Sequence, residues 1–335
     1  MRGFDTEVVV VGAGVMGLAT ARALAQAGRD VVVCEQFELG HGRGSSHGGA
    51  RIVRLSYPEE RWVRLAQESF PLWRELEAEC GRALLELHGT VDLGDWKPNR
   101  DALETCGVEA EVLEATELER RFGIRIESGS HGLFQRDGGI LLADHALAAL
   151  AASAAAAGVQ LRERHRVEAI EEDADGIELG DLRARTAVVT AGAWAPKLFG
   201  VDARPTSETV AYFALDGPLP SVIDTTTGAH PGYALPSASG LLKAGLHQSG
   251  RLLDPDDPPA PDGVLAEQIA AWVERRFPRA GPSAGLETCL YTIRENDDFL
   301  LERRGRVVVG SACSGHGFKF APAIGRRLAA LALES

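Results

Sequence analysis

Five stretches of the sequence concentrate side chains able to do chemistry. The first, Gly12-Ala13-Gly14-Val15-Met16-Gly17, is a glycine turn of the kind that lets backbone approach a pyrophosphate. Glu35 stands 18 residues beyond it, where an acid can accept hydrogen bonds from ribose hydroxyls. The second stretch, Ser45-Ser46-His47-Gly48-Gly49-Ala50-Arg51-Ile52-Val53-Arg54, sets two guanidinium groups three residues apart, with Tyr57 just beyond. The third, Gly240-Leu241-Leu242-Lys243-Ala244-Gly245-Leu246-His247, carries an ammonium and an imidazole. Thr288-Cys289-Leu290-Tyr291-Thr292 adds a thiol and a phenol, and Cys313-Ser314-Gly315-His316-Gly317-Phe318-Lys319-Phe320 closes the set. Lysine is scarce: of 35 basic residues only Lys97, Lys197, Lys243 and Lys319 are lysines. Two of those four fall inside these stretches, which chance placement on a solvated surface would rarely produce.

The elements that must position these groups read most clearly at the N-terminus. Val8 to Val11 is a valine run suited to a strand buried on both faces, Leu18 to Ala27 has a helical pattern ended by Gly28, and Val31 to Val33 is a second strand. With the glycine turn between them they form a βαβ unit, and the helix N-terminus offers free N–H groups to phosphates. Further along, an Ala-rich helix ends near Gly158 with Asp144 as its expected N-cap, and strand-like segments follow around Val159–Leu161 and Val167–Ile170. Ala187 to Thr190 is another buried strand, running into Ala191-Gly192-Ala193-Trp194. Between residues 200 and 285 Pro- and Gly-rich turns alternate with short strands, and Leu265 to Phe277 reads as an amphipathic helix. Val307 to Val309 returns to a buried strand, followed by a helix from about Pro322 to Leu333.

Nucleotide-type segments thus stand at the start, middle and end of the chain. A length of 335 residues suggests two domains, and this order predicts that they interleave. The net charge of −13 is the wrong sign for nucleic acid or anionic lipid. The longest strongly apolar stretch, Ala146 to Ala157, is too short to span a bilayer, and no export signal is visible, so a cytoplasmic protein is expected. Five scattered cysteines form neither a disulfide framework nor a zinc pattern, and no metal is expected.

On these motifs the sequence resembles the monomeric sarcosine oxidase and N-methyltryptophan oxidase branch of the D-amino-acid-oxidase-like flavoproteins. Ser-Gly-His-Gly-Phe-Lys-Phe, with Cys-x-Tyr-Thr upstream, is its most specific part. The resemblance implies an α/β fold: a Rossmann-like FAD-binding domain (1–80, 143–205 and 286–335) interleaved with an α+β substrate domain (81–142 and 206–285) on a mixed, mainly antiparallel sheet. It implies FAD held by Gly12, Gly14, Val15, Met16, Gly17, Glu35, Gln36, Ser46, Arg51, Val167, Ala191, Gly192, Trp194, Gly315, His316, Gly317, Phe318 and Lys319, and attached covalently through Cys289. A free cysteine is most often a small buried hydrophobe, and attachment needs a thiolate with a cation near it.

By the same resemblance Lys243 lies beside flavin N5 and promotes reaction with oxygen, Arg51 lies over the flavin ring, and Arg54 with Lys319 clamps a substrate carboxylate. A planar fork plus a point charge suits that anion. Tyr57, Tyr233, His247 and Tyr291 line the substrate pocket; three of the chain's four tyrosines are among them. His247 takes a polarising or orienting role, Tyr291 stands with it among the catalytic groups, and His316 is structural. The implied activity is oxidation of the C–N bond of a secondary or cyclic amino acid by hydride transfer to flavin N5. Oxygen would be reduced to hydrogen peroxide, and the protein would work as a monomer. Gly49 and Ala50 stand where relatives commonly carry Asp and Thr, and only 16 residues follow Lys319. Both departures leave room for a biosynthetic tailoring oxidase acting on a cyclic amine or imine. A dinucleotide-binding sensor without turnover is the alternative from another class; it would need none of the substrate-facing cations.

Overall fold

The strand Thr6–Val11 is the centre of the first sheet, because its valines are buried on both faces and can pair on both edges. It runs parallel to Val31–Cys34 on one side and to Leu182–Val189 on the other. The structure, a computed structural model, describes residues 3–215, 217, 219–237 and 239–334. Among them, Gln160–Arg162 and Val307–Ser311 extend this sheet in parallel, while Leu300–Arg304, Ile177–Leu179 and Glu171–Glu172 add antiparallel strands at its margins. Burying a valine side chain contributes about 1.5–3 kcal/mol, so the central strands anchor this half of the molecule.

The helix Val15–Gln26 follows the first strand at once. A Cβ on Gly17 would lie 1.8 Å from the Gly12 carbonyl oxygen, and Gly12 itself has φ +100°, so both positions require glycine for the turn to close this tightly. Helices Ala143–Ala156 and Ala321–Leu333 pack against Val15–Gln26. The latter approaches so closely at Gly325 that a Cβ there would sit 2.6 Å from the Ala19 carbonyl carbon.

The second sheet has nine strands among the described residues and is antiparallel at every pairing except Ser221–Asp224 with Thr90–Leu93. Its order is Arg251–Leu252, Arg204–Ala214, Leu241–Leu246, Gly232–Pro236, Ser221–Asp224, Thr90–Leu93, His131–Gln135, Glu111–Glu114, with Ser283–Ile293 also paired to Arg204–Ala214. A short third sheet joins Arg51–Val53, Gly139–Leu141 and Leu85–Glu86. The expected α/β class with a mixed, mainly antiparallel second sheet therefore holds. No helix among the described residues is long and apolar enough to cross a membrane.

Three local expectations change. Ser283–Ile293 pairs along its length with Arg204–Ala214, so the chain from residue 286 to 293 lies in the second sheet and not with the dinucleotide-binding strands. Val167–Ile170 has no ladder partner and is not a strand. The Ala-rich helix starts at Ala143 with Leu142 as N-cap, and the Asp144 carboxylate instead accepts the Gly48 amide at 2.8 Å.

Candidate active site

The parity of the second sheet decides what faces the first. Residues directly opposite in a ladder point to one face, and the registers link Asp92 to Ile223, Ile223 to Tyr233, Tyr233 to Gly245, Gly245 to Val210 and Val210 to Glu287. A neighbouring row links Leu235, Lys243 and Tyr212, and Cys289 and Tyr291 follow Glu287 by steps of two. One sheet face thus carries three acids, Asp92, Glu287 and the buried Glu208 opposite Cys289, with a lysine, a cysteine and three tyrosines. It forms a wall of a cavity of about 830 Å³ that reaches the glycine turn of the first sheet.

Gly12, Gly14, Val15, Met16, Glu35, Gln36, Ser46, Val167, Ala191, Gly192 and Trp194 line the dinucleotide end of this cavity. Gly17 does not line it; its part is the close packing of helix on strand. Glu35 accepts the amides of Ala13 at 2.8 Å and Phe37 at 3.0 Å, and His41 Nε2 lies 3.5 Å away. Burial alone would raise its carboxyl pKa, but these bonds outweigh that and hold it below the ordinary value. Ser46 Oγ accepts the Val15 amide at 3.1 Å, tying the arginine-bearing segment to the start of the helix.

In the middle of the cavity stand Arg51, Lys243 and Cys289. Arg51 is fixed by donating to three carbonyls, those of Ala50 and Ser45 at 2.9 Å and that of His47 at 2.5 Å, with its guanidinium 5.7 Å from the Phe318 ring centre. Lys243 is buried mid-strand, and burial first, then the charge of Arg51, lowers its pKa to about 8. Its ion-pair partner is Glu287, at 3.7 Å. Glu287 also accepts from the Tyr212 hydroxyl, and His47 Nε2 is 3.8 Å away. The expected activation of Cys289 is only partly present: Arg51 and Lys243 pull its pKa down, but burial prevails and raises it.

The far end holds Arg54, Tyr57, Lys319, His247, Tyr233, Tyr291, Gly315, His316, Gly317 and Phe318. Tyr57 joins the two cations: the Arg54 guanidinium lies 4.3 Å from its ring centre, and Lys319 Nζ donates to its hydroxyl at 2.8 Å. Lys319 also donates to the His316 carbonyl at 2.8 Å, while its own carbonyl accepts from Trp73 Nε1 at 2.8 Å. Its ammonium is held well below the ordinary amine pKa by burial and then by Arg54. His247 is lowered to about 4 by burial, Arg54 and Lys319, so it is a neutral imidazole at physiological pH. Gly315, with φ +77°, lets the His247 and Tyr291 rings close over it; a Cβ there would meet Tyr291 at 2.3 Å.

Sequence reasoning missed the acids. Asp92 is buried and receives Arg54 Nη1 at 2.9 Å on one oxygen and the Ser56 hydroxyl on the other, while Asn99 Nδ2 donates to Ser56 Oγ at 3.2 Å. Its signal was a lone charge in the strand Thr90–Leu93. Glu287 was readable as the residue two before Cys289, hence on its face.

A flavin dinucleotide suits these residues. The glycine turn, the fixed Glu35 and the cavity between the sheets provide for its length. Ser311 and Thr292 line the cavity with buried hydroxyls that have no partner among the described residues. Fold and site together define a dinucleotide-dependent oxidoreductase whose cavity carries Arg54 and Lys319 at its far end. Residues 7–331 match the model of the FAD dependent oxidoreductases, and the chain belongs to that family.

It is 33% identical to the probable sarcosine oxidase of Arabidopsis thaliana over 98% of this chain and 88% of that protein. It is 30% identical to the monomeric sarcosine oxidase of Bacillus sp. (strain B-0618), with 98% and 92% covered. The structure of NikD, an unusual amino acid oxidase essential for nikkomycin biosynthesis, superposes with a TM-score of 0.88 at 28% identity, covering 99% of this chain and 95% of that one. The resemblance carried by the motifs therefore extends over nearly the whole chain.

Proposed function

We propose that this enzyme oxidises the C–N bond of a secondary or cyclic amino acid. The observation that carries the reading is the pairing, in one cavity, of the glycine turn with a far end where Arg54 and Lys319 converge on Tyr57. Arg54 offers the guanidinium edge that Asp92 does not occupy, and Lys319 adds a point charge, so an α-carboxylate is held at two points. The amine is then directed toward the middle of the cavity, past the neutral His247, which can accept a proton or hydrogen bond. FAD, when bound, would supply a two-electron acceptor for the hydride, with oxygen as the proposed final acceptor and hydrogen peroxide as its product. Arg51, fixed by three carbonyls, is a cation that would stabilise a reduced, anionic ring. Lys243 is the ammonium at which charge developing on oxygen would be met.

We assign the flavin domain to residues 1–80, 143–205 and the chain beyond 293, because Ser283–Ile293 belongs by pairing to the other sheet. Cys289 is the proposed attachment point; its exposure to the cavity and the nearby Arg51 and Lys243 support this. Acid precipitation tests it: the flavin should stay with the protein pellet, and yellow colour left in the supernatant would refute attachment. Likeness to NikD favours one second reading, a tailoring oxidase for a cyclic amine or imine. Anaerobic bleaching of the flavin by a panel of N-methyl amino acids, cyclic amino acids and cyclic imines decides between them. No bleaching by any member would overturn both.

A further inference from the structure

Lys243 cannot hold its charge unaided. It sits in the strand Leu241–Leu246, buried, with Leu235 and Tyr212 as its cross-strand neighbours and the ring centre of Tyr212 5.9 Å from Nζ. The groups that face it are Arg51 and His47 from the arginine-bearing loop, Asp144 from the Ala-rich helix, and Glu287 and Cys289 from the strand Ser283–Ile293. Arg51 repels its charge. Cys289 offers no counter-charge, because its thiol stays protonated while free and would be a neutral thioether if attached. Asp144, which accepts the Gly48 amide, lies beyond ion-pair distance and supports the charge less than Glu287 does. Glu287 is the carboxylate at ion-pair distance from Lys243 among the described residues.

The position of Glu287 is constructed. Tyr212 donates to it, His47 lies beside it, and Gly48, with φ +104°, leaves the space that Glu287, Arg51 and Lys243 share. A Cβ on Gly48 would come 3.4 Å from Glu287 Oε1 and from Arg51 Nη1, and 3.6 Å from Lys243 Nζ. Glu287 is also the outward member of the pair, its side chain 30% exposed against 6% for Lys243. Water can therefore stabilise its charge without entering the cavity. Opposite charges this close favour each other's ionised forms.

We propose that Glu287 is the positioning residue that keeps Lys243 a cation within the cavity, acting from a more exposed place on the same sheet face. This rests on the reading that Lys243 serves the oxygen reaction, so the test separates the two. Holoenzyme labelled with [ε-13C]lysine gives resonances from four lysines, and Lys243→Met identifies the one of interest. In the wild type that resonance should half-titrate below the ordinary lysine value, near pH 8. In Glu287→Gln it should half-titrate lower by about one pH unit. The high-pH fall in the rate of flavin reoxidation by oxygen should move by the same amount, while anaerobic reduction by substrate keeps its pH profile. Glu287→Asp, which keeps the charge, should restore most of both; if the Gln variant does not fold, a smaller displacement in the same direction is required of the Asp variant. A Lys243 resonance that titrates in the Gln variant as in the wild type overturns the proposal. If Lys243→Met reoxidises at the wild-type rate, the oxygen role of Lys243 fails, and the resonance alone then decides whether Glu287 holds the charge.

Discussion

A single row of the second sheet carries two acids, Asp92 in the interior strand Thr90–Leu93 and Glu287 in Ser283–Ile293, and each is paired with a cation of the cavity. The two pairs are built differently. Asp92 is buried and satisfied on both oxygens, by Arg54 and by Ser56, with Asn99 behind Ser56. Glu287 is partly exposed and lies 3.7 Å from its lysine. Burial raises the Asp92 pKa, despite Arg54 and its hydrogen bonds, whereas Glu287 is lowered because Lys243, Tyr212, His47 and Arg51 together outweigh its milder burial. The sealed pair fixes the direction of a guanidinium. The open pair leaves its ammonium able to exchange a proton near neutral pH. The rigid clamp proposed for Arg54 and the titratable cation proposed for Lys243 call for those two different solutions.

The sharpest way to break this contrast is at the sealed pair. Arg54→Met leaves Asp92 as a buried, uncompensated carboxylate and should cost about 3–5 kcal/mol of folding stability, with carboxylate binding lost as well. Adding Asp92→Asn should recover most of the stability and none of the binding, because the amide needs no cation but the clamp is still gone. Denaturant unfolding and a ligand titration on the single and double variants check both halves. A double variant no more stable than Arg54→Met would show that Asp92 is not the group left exposed to cost.

At the open pair the expected loss is kinetic. Lys243→Met removes one fixed charge where negative charge develops, and removal of a single such group typically costs about 10²–10³ in rate. Reoxidation of the flavin by oxygen should slow by that factor while anaerobic reduction by substrate changes little, measured as separate half-reactions in stopped flow. Stability should fall little, since Glu287 can turn its charge to solvent. Equal loss in both half-reactions would assign Lys243 to substrate binding and erase the contrast.

How far each pair was legible in the sequence follows from how local its causes are. The glycine turn, the valine strands and Glu35 were readable because φ, packing distance and burial are set within about 30 consecutive residues. Lys243, Cys289, Tyr291 and Lys319 stood out through residue type in short motifs. Their neighbours did not, since Asp92 reaches Arg54 across 38 residues and Tyr212 reaches Glu287 across 75. Such partners are chosen by sheet register, which a single sequence does not print. The same cause moved Ser283–Ile293 into the second sheet. Asp144 shows the converse: a residue type suited to capping was taken by a tertiary contact to Gly48.

The third test concerns Lys319, the cation with no acid of its own among the described residues. It is held by neutral oxygens, those of Tyr57 and His316, and both burial and the Arg54 charge disfavour its protonated form. An anion arriving between Lys319 and Arg54 reverses this, because an opposite charge nearby favours the protonated amine. Above the lowered pKa of the empty site, binding a small aliphatic carboxylate should therefore take up a proton. Affinity should fall with rising pH, by at most about tenfold per pH unit. Below that pKa the lysine is already charged and affinity should level off. Calorimetric titration in buffers of different ionisation enthalpy counts the protons. Asp92, itself raised by burial, is the competing acceptor, so the variants assign the site: Asp92→Asn should retain the uptake, and Lys319→Met should abolish it and flatten the pH dependence. Uptake that survives in Lys319→Met and vanishes in Asp92→Asn would place the proton on the sealed pair, and Asp92 would then be a titrating group and not only the anchor of Arg54.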